Sequence, residues 1–243
     1  MTKRIDLTAP TSWGELTRQQ LVDVAGVLCL HLQREEMLVT LFCLLANVRL
    51  ERKRRAYVLH HGETSAPISI EEIADLSSRF GWVIDTEPDR LPNPSQADDF
   101  LRDTSFGDWF EADTHFRLYE KDEDLAHFDI ILPLLKEQPR KMDEAEAKAY
   151  LWWWRTLQQQ LAEAYPNVLE RKDEPEQGEA PEAVAEYDPF KQLQSFHLLL
   201  NEDKPQENER IDNTRLHDVL SALDNKILKL RMQQEELEKL KRL

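Results

Sequence analysis

Apolar residues recur at helical spacing through residues 16–50, LTRQQLVDVAGVLCLHLQREEMLVTLFCLLANVRL, the longest aliphatic concentration in the chain. Thr17 and Gln20 form a capping box, and Leu16 and Leu21 stand where a hydrophobic staple needs them, so a helix starts at Arg18. Its stripe is Leu21, Val24, Ala25, Leu28 and Leu32, widened by Val22, Val27 and Leu30 until little of the helix is left for water. The polar run Gln33-Arg34-Glu35-Glu36 interrupts this pattern before Leu38, Leu41, Phe42 and Leu45 resume it. Two core helices joined by a tight bend are expected, because charges at the join disfavour one long helix. Trp13, just upstream, is a candidate anchor onto that pair.

Further along, the period changes. Ala56-Tyr57-Val58-Leu59 and Ala66-Pro67-Ile68-Ser69-Ile70 flank His60-His61-Gly62-Glu63-Thr64-Ser65, a pattern that predicts a small β-hairpin. Ser69 with Glu72 is a second capping box, opening a helix through Ile73, Leu76 and Phe80 that stops at Gly81. Pro88, Pro92 and Pro94 mark residues 85–96 as a surface connection and a candidate boundary between subdomains. From Ser105 a helix carries Phe106, Trp109, Phe110, Phe116 and Leu118; after Asp122-Glu123-Asp124 another holds Leu125, Phe128, Ile131, Leu132 and Leu135. Residues 142–165 form the next amphipathic segment, with Tyr150, Leu151, Trp154, Leu157, Leu161 and Tyr165 on one face and Trp152-Trp153 widening it. At helical spacing, such aromatics are core rather than a stacking platform.

Residues 170–186 combine Pro175, Gly178, Pro181 and seven acidic residues with few aliphatics, the composition of a disordered acidic linker. Beyond it, YDPFKQLQSFHLLL regains apolar character, as a short helix or strand. In residues 213–243, Leu216, Leu220, Leu223, Ile227, Leu230 and Leu237 step by 4, 3, 4, 3 and 7 residues, a heptad seam with Gln234 in one core position. A coiled coil with a partner helix and an amphipathic helix folded back onto the body share this stripe. The expected architecture is therefore mainly α: a helical body over 1–169 with a small β-hairpin, an acidic linker over 170–186, and a C-terminal segment over 187–243 ending in an amphipathic, coiled-coil-type helix.

Charge narrows the partner classes. The 243 residues carry a net charge of −16, and binding to DNA or RNA depends on Lys and Arg neutralising the backbone, so nucleic acid is a poor default partner. The one concentrated basic run, from Arg49 to Arg55, suits phosphates or an acidic partner; its bland reading is a helix C-terminus where cations complement the dipole. Between Asp85 and Asp129 stand 14 acidic against 4 basic residues, including Asp98, Asp99, Asp103, Asp108, Glu111 and Asp113, but no calcium-loop pattern of alternating oxygen ligands with a turn glycine occurs. A solvated acidic face is the simpler reading. The His60-His61 pair has no Cys, Asp or Glu at a spacing that completes a metal site.

Cys29 and Cys43 lie in apolar blocks and behave as small buried hydrophobes, which fits a reducing cytoplasm rather than a disulfide framework. The opening MTKRIDLTAP has no apolar signal-type run, and the polar break at residues 33–36 rules out a membrane span there. No phosphate-cradling glycine loop, nucleophile elbow or zinc spacing is present in the sequence, so no catalytic residue, metal ligand or cofactor is assigned. A non-enzymatic protein acting through protein contacts is expected, with the six seam residues, Leu216 to Leu237, as its partner-binding set and self-association through that helix as one mode. A nucleic-acid-associated regulator using the run from Arg49 to Arg55, or an enzyme of unrecognised class, is the alternative.

Several short motifs stand in a set order along the chain. Ser12-Trp13-Gly14-Glu15-Leu16-Thr17 with Gln20-Leu21 is similar to an S-W-x-E-L-T-x-x-Q-L opening, and Leu91-Pro92-Asn93-Pro94 follows in order. Phe106-Gly107-Asp108-Trp109-Phe110 with Ala112 and Tyr119, then Tyr165-Pro166-Asn167-Val168-Leu169 and Asn213-Thr214-Arg215-Leu216-His217-Asp218-Val219-Leu220, continue the likeness. Together these motifs resemble a sparsely characterised family of Bacteroidetes phages and prophages, and the resemblance implies a protein encoded among virion or tail-assembly genes, with virion or tail components as partners. The long acidic linker departs from the family pattern.

Overall fold

The computed structural model describes residues 5, 7–53, 56–95, 100–169, 188–201 and 204–241. The expected acidic linker lies outside the described residues. The chain is mainly α with one small antiparallel sheet, and it divides into two compact units: unit 1, Met1–Gln96 with Arg140–Thr156, and unit 2, Ala97–Pro139 with Leu157–Leu243. This division differs from the expected body over 1–169, because the C-terminal segment clusters with residues 97–139. The proline-rich connection over 85–96 does mark the boundary.

In unit 1, α1 (Arg18–Cys29) opens with the Thr17 and Gln20 capping box, Thr17 N donating to Gln20 Oε1 over 3.0 Å. The break before α2 (Arg34–Leu45) falls at residues 30–33 instead of on the charged run. Arg34, Glu35 and Glu36 form the first turn of α2, where Glu36 caps back to Gln33 and acidic residues suit the helix N-terminus. Asn47, at φ 51°, then turns the chain, and Arg49 to Lys53 form strand β1 (Arg49–Lys53), correcting the helix-end reading of the basic run. Strands β2 (Ala56–His61) and β3 (Thr64–Ile68) are the expected hairpin, and β1 adds an antiparallel third strand with Leu50 opposite Leu59 and Leu59 opposite Ala66. Gly62, at φ 55° and first of the two turn residues, supplies the positive φ that this hairpin turn requires.

Helix α3 (Ile70–Ser78) has the Ser69 and Glu72 capping box, but it ends before Phe80. Gly81 has φ −55° and precedes the short helix α4 (Trp82–Asp85), so it is not the left-handed stop read from the sequence. Trp13 is the expected anchor: it is buried, meets Trp82 and Trp152 edge-on at 5.3 and 5.7 Å, and donates its indole N–H to Thr86 Oγ1 over 3.0 Å. The core around it includes Leu21, Val24, Leu41, Phe42, Leu45, Leu59, Phe80 and Ala149, whereas Leu28 and Leu32 are only partly covered and Leu30 is exposed.

Unit 2 begins with α5 (Phe100–Asp103), α6 (Phe106–Asp122) and α7 (Phe128–Leu134). The long helix α8 (Glu144–Ala164) contributes residues 144–156 to unit 1 and 157–164 to unit 2; its Tyr150, Trp152, Trp153 and Trp154 are all buried, as core aromatics should be. Unit 2 closes with α9 (Pro166–Leu169), α10 (Pro189–Asn201), α11 (Asn208–Asp212) and α12 (Leu216–Lys241). Phe106, Trp109, Phe110 and Phe196 join α6 to α10 through aromatic contacts of 5.9–6.4 Å. Gly107 lets α11 approach α6, since a Cβ there would lie 3.1 Å from Asp212 Cβ and 3.2 Å from its carbonyl oxygen. Gly107→Val is expected to lower stability by about 1–3 kcal/mol through overpacking, read as an earlier urea midpoint at unchanged slope. Among the described residues, no helix is long and apolar enough to cross a membrane.

Candidate partner-binding helix

α12 starts inside unit 2 because backbone pairing holds it there. Phe106 N donates to the Thr214 carbonyl over 2.9 Å and Leu216 N to the Thr104 carbonyl over 3.0 Å, an antiparallel bridge between Ser105 and Arg215. At the next residue, Tyr165 Oη lies 2.8 Å from His217 Nδ1. Burial first, and then the Asp218 and Asp224 charges, push the Tyr165 phenol above its ordinary pKa. Asp224 caps α9, accepting from Asn167 N over 2.8 Å and from Asn167 Nδ2 over 3.0 Å, while Arg231 Nη1 donates to Asn167 Oδ1 over 3.1 Å.

The structure therefore divides the heptad seam. Leu216, Leu220 and Leu223 are 0% exposed, which corrects their assignment as free partner contacts: they belong to the core of unit 2. Ile227 is partly covered. From residue 228 to 241 every side chain is exposed, with Leu230 at 43% and Leu237 at 58%, and Leu228, Met232 and Leu240 also uncovered. The folded-back alternative therefore describes the first half of the helix, and the second half stands exposed. The change comes after the Asp224 contact with α9, where the described residues of unit 2 no longer cover the stripe; the Arg231 contact already falls within the exposed stretch.

Compared with known proteins, the chain matches no family model, no curated protein and no solved structure.

The remaining candidate residues are placed as follows. Arg49, Arg52 and Lys53 are exposed on β1, but Lys53 Nζ is 3.5 Å from Glu51 Oε2, so a carboxylate interrupts the positive patch. Sequence reasoning missed a line across the sheet: Ser65 Oγ is 2.8 Å from His60 Nδ1, and His60 Nε2 is 3.0 Å from Glu51 Oε2. The hydrogen bond from His60 is the first cause holding the Glu51 carboxyl below its ordinary pKa. Strand register alone makes these neighbours, with His60 directly opposite Ser65. Of the acidic stretch, Asp98 and Asp99 lie outside the described residues, and Asp103, Asp108 and Glu111 are exposed as expected. Asp113 departs from that reading; it is 4% exposed and accepts from Arg117 Nε over 2.7 Å. Among the described residues, no group of three or more His, Cys, Asp and Glu side chains is gathered for a metal ion.

Proposed function

We propose that this chain is a non-enzymatic, phage-type structural or assembly protein that works through protein contacts, with the distal half of α12 as its docking element. One observation carries the reading: a seam that packs its first three leucines into unit 2 continues for two more turns and beyond with Leu230 and Leu237 uncovered. Residues 228–241 extend roughly 21 Å at 1.5 Å per residue, enough for two heptads against a facing helix. Gln234 at the intervening core position favours a partner with a polar residue facing it, which sets register at some cost in stability. Glu235, Glu236, Glu238, Lys239 and Lys241 flank the seam and set orientation more than affinity. Virion or tail components are the partner class that the motif resemblance implies, and the cytoplasm of the host cell is the place of assembly.

The test pairs wild type with Leu230→Asp/Leu237→Asp. Because both side chains are exposed, the double variant is expected to keep the wild-type melting temperature while losing captured virion or tail proteins, identified by mass spectrometry from phage-producing cells. Retention of every such partner by a folded double variant, or capture of none by wild type, overturns the assignment.

A further inference from the structure

The uncovered end of α12 constrains the direction from which another helix can meet it. In heptad terms Leu223, Leu230 and Leu237 stand at d, Ile227 and Gln234 at a, and Arg231 and Glu238 at the flanking e positions. Such a seam drifts by only about 40° between Leu223 and Leu237, so the exposed leucines continue the line of the buried ones. That line is the side of α12 on which unit 2 lies: α5, α6, α9 and α10 pack against the helix, and Leu216, Leu220 and Leu223 are 0% exposed. A helix that covers Leu230 and Leu237 therefore lies in continuation of unit 2, end to end with it.

A second copy of the chain meets this geometry in one direction only. Laid parallel, each copy's unit 2 would fill the space that the other copy's helix needs, because both bodies sit on the seam side at the same end. Laid antiparallel, the two bodies lie at opposite ends, and the uncovered stretches overlap. In antiparallel pairs an a residue faces a d residue. Setting Ile227 opposite Leu237 also sets Leu230 opposite Gln234, and the twofold repeats both contacts, so residues 227–237 of the two helices pair without a gap. The two Gln234 side chains then stand in adjacent layers, about 6 Å apart along the axis at 1.5 Å per residue, each the polar neighbour of the other. Charge agrees with this direction. Antiparallel helices bring e beside e, which sets Arg231 of each copy against Glu238 of the other, whereas parallel helices bring g beside e and would set Lys226 against Arg231.

We propose that two copies of this chain pair through residues 227–237 of α12 as an antiparallel, twofold-symmetric dimer. The proposal rests on the distal half of α12 being the docking element, and it names a second copy as an occupant. A surface that meets itself across a twofold axis closes at the dimer and does not propagate. Half of the layers hold a glutamine against a leucine, so the pair is reversible and the seam stays open to exchange.

Sedimentation velocity of the purified full chain, over a concentration series up to about 1 mM, tests the pairing. A monomer–dimer equilibrium is expected, weakened by about tenfold or more in Leu230→Asp/Leu237→Asp at an unchanged melting temperature. Arg231→Glu is expected to weaken the dimer roughly three- to tenfold, and Arg231→Glu/Glu238→Arg to restore it, since the exchange rebuilds both ion pairs. A wild type that stays monomeric, a dimer untouched by the leucine changes, or a dimer that Arg231→Glu strengthens, as a parallel pair would be, overturns the proposal. The wild-type series needs no variant to fold, so it decides by itself whether self-pairing occurs. A monomeric wild type that still captures virion or tail proteins removes the second copy and leaves the docking role standing, whereas a dimer that captures none does the reverse.

Discussion

Leu220→Ala is expected to destabilise unit 2 by about 2–5 kcal/mol, the cost of an unfilled leucine-sized cavity in a core that relaxes only partly. Leu220 is 0% exposed, as are Leu216 and Leu223 on the same stripe. Leu237→Ala, on the same seam and chemically identical, removes a side chain that is 58% exposed and is expected to stay within about 0.5 kcal/mol of wild type. Urea denaturation followed separately for each unit measures both changes. Equal effects at the two positions would mean that the seam is not divided between core and free surface. For the same reason, deleting residues 210–243 is expected to unfold unit 2, since it removes Leu216, Val219, Leu220 and Leu223 together; a truncation that ends before Leu228 is the one that separates docking from folding.

In unit 1 the largest single effect is expected from Phe42→Ala, about 3–5 kcal/mol. Phe42 is 1% exposed, packs beside Phe80 with ring centroids 6.0 Å apart, and stands in the cluster of Leu21, Leu41 and Leu45. Against a total stability of roughly 5–15 kcal/mol, such a loss brings the unit close to its unfolding threshold at physiological temperature. Leu28→Ala is the useful comparison. Leu28 looked equivalent on the helical stripe, yet its partial exposure leaves less apolar area to lose, so a smaller change is expected. Thermal melts of the two variants rank them, and a Leu28 effect as large as that of Phe42 would show the core centred differently.

Acid titration offers a third check on local geometry. The backbone N–H of Asp124 first, and the His127 contact second, hold the Asp122 carboxyl below the ordinary aspartate pKa. Its folded value is depressed, so the stability it contributes is present above the unfolded pKa near about 3.9 and is lost as pH falls through the folded value. Carbon-detected NMR titration of Asp122 is expected to place its midpoint below that of solvent-exposed aspartates. A midpoint at or above theirs would contradict the contacts of Asp122 with Asp124 N and His127 Nε2.

What local residue patterns decided is the set of elements whose causes are themselves local. Thr17 with Gln20 and Ser69 with Glu72 cap helices through contacts three residues apart, and Gly62 makes its turn within four residues, so each could be read from adjacent letters. The mainly helical fold and the hairpin follow from the same short-range periodicity. Strand β1 was not legible, because only Leu50 among its five residues is apolar and its identity rests on hydrogen bonds to β2. The regrouping of residues 97–139 with the C-terminal segment, and the meetings of His115 with His127 and of Glu51 with His60 and Ser65, depend on how the chain turns back on itself. Above all, the heptad from Leu216 to Leu237 has one periodicity along its whole length. Only the tertiary structure decided where α6 and α9 hold it and where they stop, because periodicity records which side of a helix is apolar and carries no information about what covers that side.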